Sequence, residues 1–299
     1  MSDAFPDAIV AWAVHREIDA DHVMCRLYGF YATEPTKVEC TLVHAQNALI
    51  AQSRSDLKGY DHSEGWGVAT FSQDGPDIKR QAWAAYHGEH FARAAAQTYS
   101  KLVMAHVRRA TVGGASLENT HPFTDGHWVF AHNGTVPGFT KIRSILLERM
   151  SAKHRGAIKG QTDSEHVFRY FLSLLDAGMI SPNDDLPGAI RHIVSAISEL
   201  ADTHAPNKKL GLNIVLSDGR QLAGSRINRS LYFVDRKGVY DCEICGFPHI
   251  HHDPSRDYRA VVIASEPLTH ERWIEVPNHS VWQISDENGL VFEEIRQAA

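Results

Sequence analysis

The chain has 299 residues, with 30 Lys and Arg against 36 Asp and Glu for a formal charge of −6, and 43% of it is hydrophobic. That length suits one large domain or two small ones with a core burying about three quarters of the unfolded surface, and the mild acidity excludes the clustered cations of a nucleic-acid binder. Four cysteines are too few for a secreted disulfide scaffold and point to a reducing, cytoplasmic setting; no run approaches the ~20 apolar residues of a membrane span, and the apolar stretch 8–14 follows Asp3 and Asp7 where a signal peptide is positive.

In chain order, short apolar runs bounded by Gly, Asp and Asn predict strands over 26–32, 66–71, 78–83, 102–108 and 128–132. Helical periodicity follows over 140–154, with Ile142, Ile145, Leu146 and Met150 on one face. A second helix opens at Thr162, where Thr162 and Glu165 match a capping box, and ends near Gly178. A third spans about 186–201. Strands then return at 213–216 and 221–225, flanking the hairpin signal Asp218-Gly219, and at 230–234, 259–264, 280–284 and 290–295. No repeat, low-complexity tract or linker divides the chain. Strands, helices and strands again predict an α+β domain in which helices cover antiparallel sheets.

Four segments place small residues, a nucleophile and charged anchors at the ends of these elements: Met24-Cys25-Arg26-Leu27-Tyr28-Gly29, Ala105-His106-Val107-Arg108-Arg109-Ala110-Thr111, Ala131-His132-Asn133-Gly134 and Gln161-Thr162-Asp163-Ser164-Glu165. In this order they resemble the class II glutamine amidotransferases, N-terminal nucleophile (Ntn) hydrolases whose first mature residue is a catalytic cysteine. Glu64-Gly65-Trp66-Gly67 and Glu118-Asn119-Thr120-His121-Pro122-Phe123 add to the resemblance, which is nearest to the small stand-alone members, the γ-glutamyl amidohydrolase of ergothioneine synthesis among them. It implies a four-layer αββα Ntn-hydrolase sandwich with two mainly antiparallel sheets.

The chemistry requires these residue types. A thiol is a strong nucleophile but mostly protonated near neutrality, and a free α-amine, titrating near ~7.7–8.0, can serve as base to the side chain of its own residue. Cys25 is therefore the candidate nucleophile. Asn133 and Gly134 have the donors of an oxyanion hole, and Asn-Gly also suits a plain turn after the strand. The resemblance implies that Arg108 pairs with the substrate α-carboxylate, that Thr111 hydrogen-bonds that end, and that Asp163 takes the α-ammonium. His106, His121 and His132 fall near these positions without an assigned role.

The chain departs from the family pattern in three ways. Arg109 and Val112 stand where sugar-forming members have Trp and His in Arg-Trp-Ala-Thr-His-Gly, which admits a γ-glutamyl donor other than glutamine. No acceptor domain is recognisable after Asp163, so a stand-alone hydrolase, or one subunit working with a separate synthase or as a homo-oligomer, is expected. Cys25 is also preceded by residues 1–24, read as a leader absent or removed from the active protein, with 25–299 as one glutamine amidotransferase domain. Translation from Met24, cleavage of a propeptide, or retention of the extension are the three arrangements. Retention would leave a catalytically silent γ-glutamyl-binding or regulatory subunit.

One more cluster is Cys242-Glu243-Ile244-Cys245-Gly246 followed by His249, His251 and His252. Two thiolates and two imidazoles from Cys242, Cys245, His249 and His251 would complete a structural zinc tetrahedron, and an exposed His-rich loop explains the same residues. No cofactor is needed for catalysis on this reading. A zinc hydrolase centred on Cys242 and His251 ranks last, because such knuckles leave no open coordination position.

Overall fold

The computed structural model describes residues 25–110, 112–182, 185–251, 257–286 and 289–295. Thirteen strands form two sheets among the described residues, and every pairing is antiparallel. The first sheet contains β1 (Arg26–Lys37), β2 (Trp66–Ser72), β3 (Gly75–Gln81), β4 (Tyr99–Val107), β9 (Tyr232–Lys237), β10 (Arg259–Ala264) and β11 (Ile274–Glu275), in the order β11-β9-β10-β1-β4-β2-β3. The second contains β5 (Phe123–Asp125), β6 (Trp128–Thr135), β7 (Gly211–Ser217), β8 (Leu222–Arg226), β12 (Ser280–Ser285) and β13 (Gly289–Glu294), in the order β13-β12-β8-β7-β6-β5.

Alternation along the central strands builds three apolar layers, because successive side chains leave a strand on opposite faces. Leu27 and Tyr31 of β1, Leu102 and Met104 of β4, and Val129 and Ala131 of β6 meet between the two sheets with Val215, Ile263 and Trp282. The intervening Tyr28, Phe30, Val103 and Ala105 face Leu49 of α1 (Leu49–Arg54) and Phe91 of α2 (His90–Ala96). On the far side Phe130, Leu212 and Ile214 pack on α3 (Phe139–Arg149), α5 (Asp163–Asp176) and α6 (Leu186–His204) through Ile142, Phe168 and Ile193. The result is the expected αββα order.

The differences from expectation are local. β1 runs on to Lys37 through Pro35, which is exposed and lies where the β1–β4 register shifts between Tyr31 and Thr36; a missing N–H is harmless at such a bulge. The helix expected over 140–154 breaks at Met150, whose extended backbone ends α3, and Ser151 caps the separate α4 (Ala152–Gly156). α1 and α2 are too short to show a periodicity. Thr162 Oγ1 accepts the Glu165 amide at 3.1 Å at the start of α5, whereas the Glu165 carboxylate accepts from Lys159 and Gly160 rather than completing a capping box. No helix among the described residues is long and apolar enough to cross a membrane. Residues 1–24, read as a leader, lie outside the described residues.

Candidate active site

β1 begins, and β4 and β10 end, at one edge of the first sheet, and the last residues of β6 reach the same edge from the second. Half-buried Cys25 lies just before β1. With Val107 opposite Arg26, the segment leaving β4 passes the thiol: the Arg109 N–H donates to Cys25 Sγ at 3.4 Å, and the thiol reaches the Arg109 carbonyl at 3.3 Å. Burial pushes the Cys25 thiol up, while the Arg109 amide and the charges of Arg108 and Arg26 pull it down without overcoming burial. Such a thiol is protonated at neutral pH and needs a base before it can attack.

Arg26 anchors the strand that carries this cysteine. Its buried guanidinium pairs with Asp56 and, at 2.7 Å, with Glu266, and also donates to the Cys25 carbonyl at 3.0 Å. Burial opposes ionisation of Asp56, yet the His62 hydrogen bond (3.1 Å), the Arg26 charge and the Tyr60 and Lys58 amides together hold its carboxyl at about 2.

Asn133 and Gly134 pair with Asn213 and Leu212 of β7 near the end of β6. Gly134 has φ +156°, and a Cβ there would lie 2.0 Å from the Gly211 carbonyl oxygen, so no side chain fits. The buried Asn133 lies with Nδ2 3.2 Å from Ser265 Oγ, which also accepts the Leu27 amide at 2.9 Å. Its Oδ1 is buried without a partner.

The buried Arg108 donates to the carbonyls of Val112 (2.9 Å), Gly113 (3.0 Å) and Gly114 (3.1 Å) and so shapes the loop after β4. Its backbone is clamped by Glu64 and Gly65, and the Glu64 carboxylate accepts the Ala110 amide at 2.6 Å. Asn119 joins that loop to the entry of α5, donating to the Gly114 carbonyl (3.0 Å) and accepting from the Gln161 amide (2.8 Å). Asp163, the buried first residue of α5, accepts from the amides of Val136 (2.9 Å) and Ser164 (2.8 Å). Arg108 and Asp163 both act electrostatically on Cys25. Thr111 lies outside the described residues.

Behind this edge the buried rings of His106 and His121 lie tilted against each other with centroids 4.2 Å apart. Burial, aided by nearby positive charge, holds both well below the usual histidine range. His132 is fixed between Ser164 Oγ (2.9 Å) and the Gly211 carbonyl (3.1 Å).

The second cluster lies beyond the other end of β1. Cys242, Cys245 and His249 come together as the spacing suggests, but the fourth member is Cys40, at the start of a π-helical turn (Cys40–His44). His251 is not among them; its ring lies edge-on to Tyr99. The proposed quartet is corrected accordingly, because the Lys37 amide donates to the His249 carbonyl (2.9 Å) and brings that loop beside the residues after β1. A cleft of about 1140 Å³ opens here, lined by Thr36, Cys40, Arg236, Tyr240, Cys242 and His249, and includes none of the residues around Cys25.

Ser265 and Cys40 escaped sequence reading. Ser265 belongs to no motif and matters only through its register beside Leu27. Cys40 had a signal: it is the one thiol left after Cys25 and the Cys-x-x-Cys pair are assigned.

The family model described as glutamine amidotransferases class-II matches residues 24–297. The chain is 29% identical to a probable glutamine amidotransferase of Saccharomyces cerevisiae, over 90% of this chain and 84% of that one. It is 24% identical to a gamma-glutamyl-hercynylcysteine sulfoxide hydrolase of Mycolicibacterium smegmatis, over 90% of this chain and 99% of that one. A glutamine aminotransferase class-II domain protein of Silicibacter pomeroyi shares the fold, with a TM-score of 0.60 at 22% identity over 91% of this chain and 100% of that one.

Proposed function

The chain belongs to the class II glutamine amidotransferases, and we propose that it hydrolyses the γ-carboxamide of glutamine or a γ-glutamyl compound through a thioester on Cys25. The observation that carries this reading is Cys25 at the start of β1, its sulfur on the Arg109 amide, with the Asn133–Ser265 pair at the same edge.

With Cys25 as the first mature residue, its α-amine takes the thiol proton, directly or through one water. The thiolate attacks the γ-carbonyl carbon, and the developing oxyanion is received by the Gly134 N–H and the Asn133 Nδ2. In this state the Asn133 amide is turned with Oδ1 toward Ser265, whose hydroxyl donates to it; the opposite orientation leaves Oδ1 as the buried unpaired atom, at about 1–3 kcal/mol. Collapse breaks the C–N bond, and the leaving ammonia or amine takes the proton held by the α-ammonium. Water, deprotonated by the same amine, then attacks the thioester to give the γ-carboxylate and the free thiol.

Arg108 and Asp163 hold the α-carboxylate and α-ammonium, Arg108 both by its charge and through the loop it shapes, with Thr111 at the carboxylate end. Arg109, over the Tyr60 ring at 4.6 Å and bonded to Asp61, stands where sugar-forming members have Trp and favours a γ-glutamyl donor with an extended tail. Released ammonia is a free product or passes to a separate synthase.

The test is a chain beginning at Cys25 incubated with glutamine and a panel of γ-glutamyl amides, with glutamate and amine release measured. Cys25→Ala abolishes release yet retains ligand-induced thermal stabilisation. Stabilisation without any release by the wild type would instead support a silent γ-glutamyl-binding subunit.

A further inference from the structure

We propose that Cys40, Cys242, Cys245 and His249 form a structural zinc site that staples the connection after β9 to the end of β1. The four donor atoms, three thiol sulfurs and one imidazole nitrogen, all lie within 4.8 Å of one another. A tetrahedral zinc with bonds of ~2.3 Å to sulfur and ~2.0–2.1 Å to nitrogen places its ligands roughly 3.4–3.8 Å apart, so small side-chain movements close the shell. Cys245 Sγ already lies 3.3 Å from His249 Nε2.

The backbone around the pair has the form such a site requires. The Ile244 amide donates to Cys242 Sγ at 3.4 Å. The Cys242 carbonyl accepts the Gly246 amide at 2.7 Å, and Gly246 turns with φ +76° and nothing within 4 Å of an added Cβ. This turn carries Cys245 back beside Cys242. Cys40 comes from some two hundred residues earlier in the chain, brought close by β1 and by the Lys37–His249 backbone bond.

Thiolate-rich tetrahedral sites select zinc among the common divalent ions, and four protein ligands leave no position for substrate or water. The twelve residues of β1 separate the cluster from Cys25 by on the order of 40 Å of strand. The ion therefore acts on stability and not on the reaction. A disulfide would use two of the three thiols and leave the third beside His249; zinc employs all four groups.

The test uses the full chain. Metal analysis of the purified protein is expected to find one zinc per chain, and cobalt replacing it gives the visible bands of a tetrahedral thiolate site. Chelation lowers Tm by roughly 5 °C or more, and zinc restores it. Cys40→Ser and Cys245→Ser each lose most of the metal, whereas His251→Ala keeps it. The proposal is overturned if zinc-treated, desalted wild type holds no stoichiometric metal, if both serine variants keep it, or if the intact mass is lower by ~2 Da through a disulfide. Wild-type zinc content and the cobalt spectrum decide the matter even where a serine variant does not fold.

Discussion

Ser265 ties Asn133 to the strand that carries Cys25: its Oγ accepts the Leu27 amide at 2.9 Å and lies 3.2 Å from the Asn133 side-chain amide. Ser265 is buried and follows β10, so it positions Asn133 without reaching a substrate itself. Ser265→Ala is expected to lower kcat about tenfold or more while KM changes less than threefold, because the misplaced donor acts chiefly in the transition state. Asn133→Ala lowers kcat by ~10²–10³. Steady-state kinetics well below Tm provide the check, and an equal rise in KM for Ser265→Ala would refute the positioning role.

Gly134→Ala should disable the same site from the backbone. Its Cβ would meet the Gly211 carbonyl at 2.0 Å, and its φ of +156° suits glycine. β6 and β7 must part at the Gly134–Leu212 pair, which displaces the oxyanion donor. We expect a loss of about 2–4 kcal/mol in stability with activity reduced at least a hundredfold. Urea unfolding and kinetics on one preparation measure both.

Buried histidines make the fold sensitive to acid. Burial is the first cause that lowers the proton affinity of His62, His106, His121, His132 and His166. The unfolded chain takes up protons at these positions near ~6.5 while the folded chain does not, so stability is flat above that pH and falls below it. Each contributes up to ~1.4 kcal/mol per pH unit. His121→Phe, beside Phe123 and His106, should flatten the dependence of stability between pH 6.5 and 5 by about one proton; an unchanged slope would show that His121 does not stay neutral there. Asp56 adds a further loss below pH ~4, as its carboxyl, held at about 2, takes up its proton later than in the unfolded chain.

What the sequence made legible follows from local physics. Alternation and hairpin chemistry located the central strands, since each residue of 26–32 or 128–132 reports which face is buried. Thr162 announced α5 because capping is a local hydrogen bond. The site residues that belong to motifs, Cys25, Arg108, Asn133, Gly134 and Asp163, lie at one edge. Ser265 and Cys40 were not found because their partners are more than a hundred residues away and arise only from strand register. His251 illustrates the converse: its spacing suits a ligand, yet the chain after His249 carries it to Tyr99.

Arg108→Lys separates charge from shape. Lysine keeps the cation but cannot span the three carbonyls of Val112, Gly113 and Gly114. The segment 112–114 then loses its support, and KM for the γ-glutamyl substrate is expected to rise tenfold or more with a smaller change in kcat. An unchanged KM would show that the fork is dispensable.

The dependence of activity on pH identifies the base. Burial raises the Cys25 thiol, so at neutral pH the nucleophile carries its proton, and the rate follows the fraction of base able to remove it. If the base is the α-amine of Cys25, kcat/KM rises as pH increases through ~7.7–8.0 and levels off above it. A single added residue before Cys25 converts that amine to an amide, whose nitrogen lone pair is delocalised into the carbonyl and takes no proton near neutral pH, and should reduce the rate by at least ~10²–10⁴ while the fold and ligand-induced stabilisation persist. Intact mass of the active preparation makes the same point independently: release of glutamate should track the fraction of chains that begin at Cys25. Full activity in chains that retain residues before Cys25 would require another base, and the charges that act most strongly on the thiol are those of Arg108, Arg26 and Asp163. Two of these are cations with no free lone pair, and the Asp163 carboxylate, which accepts the Val136 and Ser164 amides, is assigned to the substrate ammonium. Loss of activity in the extended chain, together with a rate that follows titration of the Cys25 amine, would identify that amine as the base.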